Sequence, residues 1–184
     1  MILDSLKEYD NVKRELETSM AVVRNTNNAL YVGVFAVLAW AITASNSTLC
    51  LLTYFVIIPT YYIVLDYNIA TIKLGSYLMV FHNDLWEKRL HEVNLETKNK
   101  IKRHATSYRN SFVCSSIVVT ILFFSFLNYS NLGISEVIQI IICVGLFVWF
   151  NTYVFCQKNN DVLKQEYIDA WTNIKTKEGI HNIE

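Results

Sequence analysis

Apolar residues along the 184-residue chain gather into four blocks, Ala29 to Ser45, Thr48 to Leu65, Ser111 to Leu127 and Ile134 to Phe155, and none of these contains Lys, Arg or His. At 1.5 Å of rise per residue, blocks of this length make helices of roughly 25 to 33 Å, enough for a hydrocarbon core of about 30 Å. Continuous apolar runs without strict alternation exclude a membrane β-barrel, and only helices or closed barrels can satisfy their backbone inside lipid. The pattern predicts an all-α integral membrane protein with four transmembrane helices in two hairpins.

A second pattern lies between and outside the blocks. Leu3, Leu6, Tyr9, Val12, Leu16, Met20 and Val23 recur every three or four positions with charged residues between them, which predicts an amphipathic helix before the first span. Ile69, Ile72, Tyr77, Leu78 and Phe81 carry a helical pattern on from the second span, and Leu95 to Arg109, free of Pro and Gly, reads as a basic helix leading into the third. Val162, Leu163, Tyr167, Ile168, Trp171 and Ile174 mark an amphipathic helix after the fourth. The expected organisation is residues 1–27 as a cytoplasmic amphipathic helix, 28–66 as the first hairpin, 67–110 as a cytoplasmic helical segment, 111–156 as the second hairpin and 157–184 as a cytoplasmic helical tail. Met1 to Thr26 is polar and resembles no cleavable leader, so the first span is expected to stay in the protein.

Composition agrees with this division, since 53% of the residues are hydrophobic and the mean hydropathy is +0.27, more apolar surface than one soluble core of this size can hide. Net charge is zero, so the chain lacks the basic excess of a nucleic-acid binder and direct nucleic-acid binding is not expected. Charge position is more informative. Of the sixteen Lys and Arg, eight lie on the two tails and eight between the second and third blocks; the short connections Asn46 to Ser47 and Asn128 to Gly133 carry none. Basic residues resist translocation, so both termini and the middle segment are expected in the cytoplasm and the short turns outside.

Candidate chemistry is sparse. No ionisable group lies at mid-membrane depth, where a transporter would use one. Glu136, at the outer start of the fourth span, is either an ion site or a helix-capping acid. Gln139 and Asn151 in the same span could line a conduit or bond between helices, and Pro59 in the second span removes a backbone hydrogen bond and is expected to kink it. Small residues at Ala29, Gly33, Ala36 and Thr43 in the first span, and at Ser111 and Ser115 in the third, would let helix backbones approach closely. The four cysteines are spread through the spans without metal-site spacing, and His82, His91 and His104 include no i, i+4 pair. No catalytic motif, metal site or cofactor is expected. On the cytoplasmic side, Trp86, Arg89, Lys102, Arg103 and Trp171 are the candidate partner-binding residues.

The stretch Lys73-Leu74-Gly75-Ser76-Tyr77-Leu78-Met79-Val80-Phe81, followed by Trp86-Glu87-Lys88-Arg89-Leu90 after a membrane hairpin, resembles small membrane components of bacterial anti-phage defence systems of the Kiwa, retron and CBASS types. The resemblance covers some twenty residues and the overall layout. It implies an oligomeric inner-membrane protein that couples the bilayer to a cytosolic protein encoded nearby, either as an effector that perturbs the membrane or as a sensor and scaffold. A small channel or transporter unrelated to defence is the alternative.

The charge segregation makes a testable topology. Alkaline phosphatase fused after Asn46 or Asn131 should be active and fused after Leu90 or Glu184 inactive, with a fluorescent reporter behaving in reverse; activity after Leu90 would overturn the orientation.

Overall fold

The computed structural model describes residues 2–82, 89, 92, 107–129 and 132–181. All regular structure among them is helical. The elements are α1 (Ile2–Ala44), α2 (Ser47–Leu52), α3 (Tyr54–Phe81), α4 (Ser107–Phe126), α5 (Ile134–Cys156) and α6 (Asn160–His181). Among the described residues, four stretches are long and apolar enough to cross a membrane: Leu6–Ala44, Ser47–Phe81, Arg109–Phe126 and Ile134–Cys156. The chain is thus an all-helical protein of the kind that resides in a membrane.

Helix continuity goes further than the apolar blocks do. The 43 residues of α1 make a helix about 65 Å long, roughly twice the hydrocarbon thickness. Residue 27, where a boundary is expected, lies inside this helix. α3 likewise continues from the apolar block to Phe81. The basic helix expected from Leu95 lies outside the described residues as far as 106, and α4 is described from Ser107.

The first turn shows how local chemistry ends one helix and starts the next. Ser45 adopts a left-handed φ of 47°. Its N–H donates to the Ile42 carbonyl at 3.1 Å and the Asn46 N–H to the Ala41 carbonyl at 3.1 Å, the paired bonds that close a helix C-terminus. Asn46 then caps α2, its Oδ1 accepting from the Thr48 N–H at 2.8 Å. The second apolar block is not one uninterrupted helix. It gives way at Thr53, whose N–H turns back to Cys50 at 3.1 Å, and α3 then runs through Pro59.

The chain divides into two compact units. Unit 1 comprises the described residues of Met1–Arg24, Leu65–Ala105 and Lys158–Glu184; unit 2 comprises those of Asn25–Val64 and Thr106–Gln157. In unit 2, each long helix turns one stripe inward. Leu30, Val34, Leu38 and Ala41 of α1, Tyr54, Ile57, Tyr61 and Val64 of α3, Phe112, Ser116, Val119 and Phe123 of α4, and Cys143, Phe150, Asn151 and Val154 of α5 are all buried. Spacings of three and four within the α1, α3 and α4 sets are those of one helix face, and in α5 Cys143, Phe150 and Val154 lie seven and four residues apart on one face.

The opposite faces are apolar too. Val32, Phe35, Phe55, Ile121, Ile134, Ile141 and Phe155 are all more than half exposed, Phe55 at 74% and Ile134 at 83%. Exposed apolar surface on this scale is unfavourable against water and natural against lipid. The small residues of α1 are mostly on this outer side: Ala29, Ala36 and Thr43 are exposed, and Gly33 alone of that set makes a close approach. A Cβ on Gly33 would stand 3.0 Å from Val56 Cγ1 of α3. Gly145 of α5 is different, with nothing within 4 Å of the same position.

Two glycines in similar helices should therefore respond oppositely. Gly33→Val should destabilise unit 2 by about 1–3 kcal/mol through overpacking, whereas Gly145→Ala should be neutral or stabilise by up to about 1 kcal/mol through helix propensity. Thermal unfolding in detergent measures both, and a tolerated Gly33→Val would contradict the α1–α3 packing.

Candidate functional site

Four polar residues of unit 2 converge on one clasp across three helices. Tyr54 of α3 places its hydroxyl 2.8 Å from Thr120 Oγ1 of α4 and donates to the Ser116 carbonyl at 3.3 Å. Thr120 Oγ1 donates to the same carbonyl at 2.8 Å. One turn away, Asn151 of α5 donates from Nδ2 to Ser116 Oγ at 3.0 Å and to the Phe147 carbonyl of its own helix at 2.8 Å. The Ser116 hydroxyl has the Val113 carbonyl at 2.8 Å and Asn151 Oδ1 at 3.2 Å within reach of its single proton. Ser116 is fully buried and Asn151 nearly so. In such surroundings an amide without partners costs several kcal/mol, so these bonds hold α4 and α5 in one rotational register.

Aromatic rings pack on one another within the same unit. Tyr61 of α3 is buried, with Phe112 at 5.1 Å, Phe150 at 5.5 Å and Tyr153 at 6.1 Å between ring centroids, all edge-to-face. That geometry sets the positive ring edge on the negative face of its neighbour, at about 0.5–1.5 kcal/mol per pair beyond burial.

The expected conduit residues occupy distinct places. Glu136 accepts from the Gly133 N–H at 3.0 Å, so its carboxylate caps the start of α5. Gln139 presents its Oε1 to Ser47 Oγ and Thr48 Oγ1, each at 3.3 Å, and ties α2 to α5. Asn151 belongs to the clasp. Pro59 is exposed on α3, one residue before Thr60, whose hydroxyl donates to the Val56 carbonyl at 2.6 Å. The polar groups of Gln139 and Asn151 are thus engaged in bonds between helices. Of the small serines expected in the third span, Ser111 accepts from the Tyr31 hydroxyl at 2.8 Å, and Ser115 bonds back to Ser111 within its own helix. The packing serine is Ser116.

Tyr54, Ser116, Thr120 and Tyr61 were not singled out by sequence reasoning. The one available signal is spacing, since Ser116 and Thr120 share a helix face with Phe112, Val119 and Phe123.

Unit 1 joins α1, α3 and α6. The Trp171 indole N–H donates to the Lys73 carbonyl at 3.3 Å, and its ring meets Tyr77 at 5.2 Å and Phe81 at 6.1 Å. The Tyr77 hydroxyl donates to the Glu8 carboxylate, Tyr9 meets His82 edge-on at 5.5 Å, and Asn68 Nδ2 donates to Asn160 Oδ1 at 3.2 Å. Lys175 donates to the Val80 carbonyl and lies 5.8 Å over the Phe81 ring. Leu16, Leu78 and Met79 are buried here, while Leu6, Met20, Val162 and Ile174 remain exposed. The structure places Trp171 in this junction. Of the other partner-binding candidates, Arg89 is exposed in a helical conformation, and Trp86, Lys102 and Arg103 lie outside the described residues.

Cys50 and Cys143 are buried, Cys114 and Cys156 exposed, and all four are free thiols. Among the described residues, no group of three or more His, Cys, Asp or Glu side chains could hold a metal ion. No family model, curated protein or solved structure matches the chain.

The clasp has a measurable cost of removal. Asn151→Leu and Ser116→Ala should each lower stability by about 1–2 kcal/mol, and the double variant by less than their sum, because they break the same bonds. Denaturation in mixed micelles reads all three; strict additivity would mean the two side chains do not interact. Glu136→Gln, which keeps an oxygen for the cap, should change stability little.

Proposed function

We propose that this chain spans the bacterial inner membrane four times as two hairpins, α1 with α2 and α3, and α4 with α5, and carries both termini and the 67–110 segment in the cytoplasm. In this reading it is the oligomeric membrane component of an anti-phage defence system, and it couples the bilayer to a cytosolic protein partner. It has no catalytic role and takes no cofactor. The orientation rests on the placement of every Lys and Arg, and the defence assignment on the resemblance over Lys73 to Leu90.

One observation carries the coupling role: α1 and α3 do not stop where their apolar blocks stop. Each contributes residues to both units, and with α6 they build unit 1 from aromatic and polar contacts. A membrane anchor with no further task needs no such structure. The proposal assigns this surface and the neighbouring middle segment, with Trp86, Arg89, Lys102 and Arg103, to partner binding. Trp171 enters that role as the side chain that fixes α6 to α3.

The scaffold reading is favoured over the effector reading because the polar groups of the clasp, Tyr54, Ser116, Thr120 and Asn151, bond to one another. A conduit through a single chain would need such groups to face water instead. The effector reading draws on the exposed apolar face of α5, which oligomerisation could cover.

Expression of the chain alone and together with its neighbouring gene, with membrane potential and co-purification followed during phage infection, separates the two. The scaffold account predicts a stable complex and an intact potential, with at least a tenfold loss of co-purified partner in a variant carrying Arg89→Glu, Lys102→Glu and Arg103→Glu. Depolarisation by the chain alone would replace it with the effector account. Solute flux in uninfected cells would instead indicate a channel or transporter outside defence.

A further inference from the structure

We draw no further inference here: the strongest candidate, the exposed apolar face of α5 formed by Ile138, Ile141, Gly145, Val148 and Phe155, carries nothing because nothing in the structure shows whether lipid or a second copy of the chain covers it.

Discussion

A side-chain amide inside a membrane has no water to fall back on, and the arrangement of unit 2 depends on how that constraint is met at Asn151. Hydrocarbon provides dispersion contacts to any apolar surface, so packing alone discriminates weakly between rotations of one apolar helix against another. A buried amide discriminates strongly. Asn151 finds Ser116 and the Phe147 carbonyl in one rotation of α5 against α4, and Ser116 in turn offers its carbonyl to Tyr54 and Thr120. Once these bonds set the helix faces, the buried stripes of Phe112, Val119 and Phe123 and of Tyr61 and Phe150 follow.

Unit 1 is held by a different balance. Its contacts are aromatic ring pairs, a few side-chain bonds to carbonyls and an exposed ion pair of Lys158 with Glu166 at 2.7 Å, which in water contributes on the order of 0–1 kcal/mol. The buried apolar residues are few and Leu6, Met20, Val162 and Ile174 stay open to the surroundings.

How much could be read beforehand varied by type of signal. Four apolar blocks were legible because lipid demands long uncharged runs, and among the described residues four helical stretches are long and apolar enough to cross a membrane. The halt at Thr53 was not legible: no Gly or Pro marks it, and the one Pro lies six residues on inside an α3 that continues through it. The glutamate at 136 was read as either ion site or cap, and its bond to Gly133 is a capping bond. The clasp escaped because Ser, Thr and Tyr within apolar runs also bond to their own helix, as Thr43, Thr60 and Ser125 do. Only the fold shows which hydroxyl meets a neighbour. Trp171, a partner-binding candidate, meets Tyr77 and Phe81 of its own chain with its ring.

The account thus joins a lipid-solvated bundle, keyed by one polar clasp, to helices that carry on beyond their apolar stretches. Its central claim is that the clasp around Ser116 and Asn151 is closed off from water. Hydrogen exchange of the protein in lipid nanodiscs, read by mass spectrometry on peptides of α5 and α6, tests this most directly. Protection of residues 138–154 by at least a hundredfold over 162–178 is the predicted result, and rapid exchange around Asn151 would contradict it by showing that water reaches the clasp.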